Sequence, residues 1–159
     1  PTATRNKVLS ARFGATYARA TVRYQREQIR KILANEIDTQ KIGRRGYMKE
    51  LNNTKVVLSP FGWGEITLKD FEVFLTGGML LKPKMDHIQT WPNFYEQDVT
   101  YMAHDWELHD LEEKIEWAVS NDALRQEIAL HAQLRYAEHT SGPNAGDIFV
   151  RHLSKILSV

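Results

Sequence analysis

Cysteine is absent from the 159 residues, which excludes a disulfide scaffold and any thiolate metal site. That is compatible with a reducing cytoplasm, the compartment expected. No apolar run approaches the roughly 20 residues of a membrane span, and no signal-peptide pattern opens the chain. Pro1 stands where an initiator methionine would, which fits a fragment or a processed product. No internal repeat, low-complexity tract or second-domain boundary is visible, so residues 1–159 are expected to form a single domain, long enough for a sheet covered on both faces.

Charge of one sign is also missing overall, since the net charge is +1, but this balance hides an asymmetry. Residues 1–55 carry 13 Lys+Arg against 4 Asp+Glu, a net +9, and residues 56–159 carry 8 against 16, a net −8. The basic half could supply the positive wall of an anion site, and a solvated helix face explains much of it equally well.

What is present is organised around Val56–Leu81. It reads as a buried strand, a glycine-containing turn, an amphipathic helix with Leu68, Phe71, Phe74 and Leu75 on one face, and a second buried strand. Gly77-Gly78 can supply the left-handed residue that closes the helix. Gly62 and Gly64 let the main chain approach a ligand closely. A helix opening at Glu65 or Ile66 would aim unpaired N–H groups at that ligand, an arrangement suited to phosphate or diphosphate. Glu65 also suits the helix dipole. Glu72, seven positions on and between Phe71 and Val73, should be partly buried, and a half-buried carboxylate needs donors such as a ribose diol.

The stretches Ser59–Glu65, Lys69–Pro83 and Met85–Pro92 together resemble the nucleotide-sugar-binding, C-terminal half of exostosin-like and related family 1 glycosyltransferases of the GT-B fold. The resemblance implies that Glu72 holds the donor ribose and that Gly62, Gly64 and Glu65 cradle the diphosphate. It also implies that Arg12, at the carboxyl end of a first strand, neutralises that diphosphate, and that Arg45 and Tyr47 touch base or phosphate. The commoner bacterial pattern sets its two glutamates eight positions apart, one more than here.

The remaining chain alternates between the two element types. Lys7–Gly14 reads as a strand followed by a turn, with Arg12 at the strand's carboxyl end, Tyr17–Asn35 as a helix with Val22, Ile29, Ile32 and Leu33 inward, and Ile37–Gln40 as a short strand. Arg19, Arg23, Arg26 and Arg30 recur on the helix; such a row could track nucleic-acid phosphates, but aromatic interleaving is slight and a solvated face is the preferred reading. A short helix follows Gly43, a strand is expected at Val99–Met102, a helix after Asp110, and another that Asp122 caps and that runs to about His139. A last helix over about 145–158 carries the stripe Ile148, Phe149, Leu153, Ile156 and Leu157, a possible docking surface. Asp86, His87, His104, Asp105, His109 and Asp110 match no ligand spacing such as His-Glu-x-x-His, so no metal site is expected.

The expected fold is α/β, a Rossmann-like three-layer domain with a mostly parallel sheet, forming a single GT-B half. The expected function is donor binding for a glycosyltransferase, with a nucleoside-diphosphate sugar as substrate and no cofactor. The acceptor site, and with it activity, would depend on a missing N-terminal domain or a homo-oligomer, and no catalytic residue is assigned. No nucleic-acid partner and no membrane span are expected. The competing expectation is a non-catalytic α/β module that binds a nucleotide or a protein.

Overall fold

The computed structural model describes residues 4–33 and 37–158. Among them, β1 (Lys7–Ser10), β2 (Thr54–Leu58), β3 (Met79–Pro83) and β4 (Met102–His104) form one sheet in the order β1-β2-β3-β4, every neighbouring pair parallel. Parallel neighbours need crossovers. These are supplied by α1 (Ala20–Leu33) and α2 (Arg44–Asn52) between β1 and β2, and by α3 (Leu68–Thr76) between β2 and β3. A helix-free segment links β3 to β4, and α4 (Leu111–Ser120), α5 (Asp122–Thr140) and α6 (Ala145–Leu157) complete the chain.

Strand alternation sorts the core into two layers. Leu9, Val56, Leu58, Met79, Leu81 and Met102 face Ile29 and Leu33 of α1 and Leu111 and Ala118 of α4. Val57, Leu80 and Ala103 face Leu51 of α2 and Val73 and Phe74 of α3. The α5 helix contributes Ile128 and Ala129 to the first layer and Ala132 to the second. Every residue of β3 is buried, including Lys82. The observed architecture is the Rossmann-like α/β fold of a GT-B half that the sequence implies. No described helix is long and apolar enough to cross a membrane.

Several local expectations are corrected. The first strand stops at Ser10, two residues before Arg12, and Ile37–Gln40 forms no strand. The α1 helix starts at Ala20, three residues after Tyr17, and Asn35, its expected end, lies outside the described residues. The last strand is Met102–His104 because Thr100 is occupied in a loop, its hydroxyl donating to the Phe94 carbonyl at 2.8 Å and accepting from the Glu96 N–H at 2.9 Å. Asp122 is the first residue of α5, with Asn121 in the cap position.

The largest correction concerns α3. Leu68 and Leu75 were expected inward with Phe71 and Phe74, yet they are 70% and 60% exposed. The inward stripe is Asp70, Val73, Phe74 and Gly77, spaced three, four and seven positions from its start, and it begins on a carboxylate. The helix also opens later than Glu65 or Ile66, at Leu68 with Thr67 as N-cap. Its far end follows the expectation: Gly77 takes φ 72° and donates its N–H to the Val73 carbonyl at 2.9 Å.

Candidate functional site

The carboxyl ends of all four strands meet on one rim, where ligands sit in open α/β sheets. From β2 the rim receives Ser59, Pro60, Phe61 and the Gly62–Gly64 turn, closed by the Gly62 N–H donating to the Gly64 carbonyl at 3.0 Å. A Cβ on Gly64 would meet open space, whereas one on Gly62 would lie 3.2 Å from Nη2 of Arg26. A side chain at position 62 would crowd the Arg26 guanidinium, whereas Gly64 has open space beside it.

Arg26 is the brace of this loop. It is 7% exposed and donates to the carbonyls of Phe61 at 2.7 Å, Gly14 at 2.8 Å and Pro60 at 3.3 Å. Burial pushes its guanidinium below the ordinary arginine value, with Tyr17 opposing. Arg30 likewise donates to the Phe13 carbonyl at 3.1 Å, and Arg19 lies 4.9 Å over the Trp63 ring. Arg23 donates to the Tyr17 carbonyl at 3.4 Å, so three of the four arginines bond main-chain carbonyls and the row is no simple solvated face.

Beneath the start of α3 lies a buried polar knot. Asp70, fully buried, accepts from Ser59 Oγ at 2.6 Å, the Thr67 N–H at 3.0 Å, Thr67 Oγ1 at 2.9 Å and the Tyr95 hydroxyl at 2.9 Å. Its remaining partner is Lys82 Nζ at 3.2 Å, itself fully buried and 5.0 Å from the Phe61 ring centroid. Burial lowers Lys82 from the ordinary lysine value while Asp70 raises it. The carboxylate thus anchors the helix start to the sheet and fixes where its N–H groups point. Leu68 and Lys69 supply the first-turn N–H groups; the Asp70 N–H is taken by the Thr67 carbonyl at 3.1 Å.

Lys69 extends from this first turn to the Arg12 carbonyl, with its ammonium 5.6 Å from the Phe13 ring centroid. Burial first, and Arg26 second, push it down to about 7. It is a cation half discharged near neutrality, placed between the ends of β1 and β2.

The sequence-derived candidates fall into three groups. Gly62, Gly64 and Glu65 line a cleft of about 170 Å³ together with Arg19, Thr21, Gln25, Phe61, Trp63 and Trp106. Glu65 stands 3.7 Å from His87 Nε2. Tyr47 and Glu72 form a second group with Arg44, whose Nη1 lies 2.9 Å from Glu72 Oε1. Burial, then the Glu72 carboxylate, raises the Tyr47 phenol well above its ordinary value. Glu72 is 8% exposed, and Arg45, next to Arg44, is exposed. Because Glu65 precedes the helix and Glu72 lies within it, the two do not share a helix face. Arg12 forms the third group. It bonds Glu50 at 2.9 Å through Nη2, the Gln40 carbonyl at 3.1 Å and Asp38 at 2.5 Å. Burial would raise Glu50, but Arg12, Lys7 and Ser10 together bring it down to about 2.

The sequence reading missed Gln25, Arg26, Lys69, Asp70, Lys82 and Trp106. Four are polar residues at positions where periodicity demands apolar ones, and that mismatch was the available signal: Gln25 and Arg26 sit on the stripe Val22, Ile29, Leu33; Asp70 on that of α3; Lys82 within an all-buried strand.

No match is found among curated proteins. Among solved structures, the Anabaena HepE protein in complex with UDP aligns with a TM-score of 0.54 and 16% sequence identity, over 81% of this chain and 35% of that one. That likeness is one of fold, and the chain spans about a third of the length of its neighbour. The family described as glycosyl transferase-like matches residues 7–149, nearly the entire sequence, and the chain belongs to that family.

Proposed function

We propose that this chain binds a nucleoside-diphosphate sugar at the carboxyl rim and acts as the donor half of a glycosyltransferase. The observation that carries the reading is the start of α3, held by the buried Asp70–Lys82 pair so that its free N–H groups and Lys69 face the rim beside an open Gly64. During transfer the bond between the anomeric carbon and the phosphate oxygen breaks, and its electron pair leaves on the diphosphate. Preorganised N–H groups and a cation at that point stabilise the developing charge. Arg12 is the outer cation and exchanges its contact with exposed Asp38 for phosphate while Glu50 keeps it in place. Glu72, with Tyr47 and Arg44 beside it and Arg45 next along α2, receives the ribose hydroxyls and orients the base. A separate acceptor-binding domain supplies the other substrate, so the isolated chain binds donor without transferring sugar.

Calorimetry with UDP, GDP and ADP tests this. One of the three binds, and Glu72→Ala weakens it about tenfold, the loss expected for charged hydrogen bonds to a diol. The same substitution changes stability by no more than about 1 kcal/mol, since the partner Arg44 is exposed. If none binds a folded sample at millimolar concentration, the donor reading fails.

A second reading, a non-catalytic module that binds protein, is favoured by one observation: α6 buries none of its residues and leaves Phe149, Val150 and Leu157 exposed. It predicts the null result in the nucleotide titrations.

A further inference from the structure

Gln25 is 2% exposed and lines the cleft beside the glycine turn. Its Nε2 donates to the Trp106 carbonyl at 3.0 Å. That bond fixes the amide orientation, because a carbonyl accepts only from the nitrogen. Oε1 is therefore the free end, and it is buried with no hydrogen-bond partner. A buried acceptor left alone is costly, and Gln25 is among the residues lining the cleft, so a ligand there that carries an O–H or N–H has an acceptor to pair with.

The remaining lining narrows the class. Indole surfaces of Trp63 and Trp106, 72% and 42% exposed, flank the opening, with Phe61 5.7 Å from Trp106 between ring centroids. Glu65 adds an acceptor, while the indole N–H groups and Arg19 add donors. The cleft of about 170 Å³ is half open to solvent and has room for one ring. Aromatic walls with alternating acceptors and donors match a pyranose, which presents apolar C–H faces and a rim of hydroxyls.

We propose that this cleft takes the hexose of the donor and that Gln25 is a specificity-determining residue, its Oε1 accepting from one ring hydroxyl. The proposal rests on the donor reading and extends it from α3 to α1 and the loop after β4. A hexose lacking the read hydroxyl leaves Oε1 orphaned, so the site rejects the corresponding deoxy sugar. Trp106 is coupled to this choice because Gln25 holds its main chain.

The test follows the indole N–H resonances of the full chain during titration with UDP, GDP and their hexose conjugates, and separately with methyl hexosides; Trp91 and Trp117 serve as internal controls. The hexose conjugate of the bound nucleotide shifts Trp63 and Trp106 where the nucleotide alone does not, and binds about tenfold more tightly. Gln25→Met, which keeps the length and removes the acceptor, brings the conjugate back to the affinity of the bare nucleotide while the nucleotide itself stays within twofold. Equal loss for nucleotide and conjugate in Gln25→Met would make Gln25 a structural brace and overturn the proposal, as would a conjugate that binds wild type no better than its nucleotide. Should no nucleotide bind at all, the donor reading fails, and the methyl hexosides decide the cleft: shifts confined to Trp63 and Trp106 uphold it, and their absence refutes it.

Discussion

Lys69 illustrates how one side chain links fold to function. Its ammonium lies among Phe13, the Arg12 carbonyl and the cationic neighbours Arg26 and Lys82, and burial with that repulsion brings it down to about 7. Unfolded lysine titrates near 10.5, so between pH 7 and about 10 the unfolded chain binds more protons than the folded one, and this residue's contribution to stability rises with pH across that window. Ligand binding has the opposite sign. On the proposed donor reading, a diphosphate at the rim favours the charged ammonium and raises Lys69 toward its ordinary value, so binding takes up a proton. Calorimetry at pH 8 in buffers of different ionisation enthalpy should show uptake of up to one proton per nucleotide, and affinity should decline as pH rises from 7 to 9. Lys69→Met should abolish the uptake and flatten that decline. Uptake unchanged in the variant would place the proton elsewhere.

At the scale of the element, α3 is set by a polar anchor where a sheet-packed helix ordinarily has an apolar one. Asp70 joins the N-cap Thr67, the end of β2 through Ser59, β3 through Lys82 and the β3–β4 connection through Tyr95. Removing one member of a fully buried ion pair leaves an uncompensated charge, a loss of about 3–5 kcal/mol. Asp70→Ala should therefore lower the urea midpoint sharply, whereas Lys82→Met, which leaves Asp70 its four donors, should cost distinctly less. A double variant milder than Asp70→Ala alone would verify the coupling; strict additivity would refute it. This anchor also explains what the sequence did and did not disclose. The strand–turn–helix–strand order, the Gly77 stop and the glycine turn were legible, because buried runs and helix-ending glycines carry local signals. The face of α3 was not, since choosing Leu68 and Leu75 over Asp70 is the sensible reading until a lysine from β3 is known to lie beneath. Similarly, Gln25 drew no assignment and Arg26 read as part of a solvated face because their partners, the carbonyls of Trp106 and Phe61, lie 81 and 35 residues away. Gly62, Gly64 and Glu65 could be named from the sequence and line one cleft, whereas the buried polar groups beneath them depend on tertiary contacts.

Taken as a whole molecule, the chain is a closed α/β body with one helix that does not share in its core. The α6 helix has 13 residues, buries none, and leaves Phe149 and Ile156 more than half exposed. It is attached through α5 and through Trp91, on which His152 stacks with centroids 3.7 Å apart and planes 5° from parallel and whose ring centroid lies 6.2 Å from that of Phe149. A helix of that length is marginal in water by itself and gains its stability from an apolar face packed against something. Here much of that face is turned outward, so α6 adds little to the folding of this chain. Ending the chain after Ser141 should then leave the melting temperature within a few degrees, preserve the nucleotide affinity of the rim, and reduce the helical signal by about one helix's worth, with a change in Trp91 fluorescence. A truncated chain that loses cooperative unfolding would show that α6 is integral to the core rather than a surface awaiting a partner.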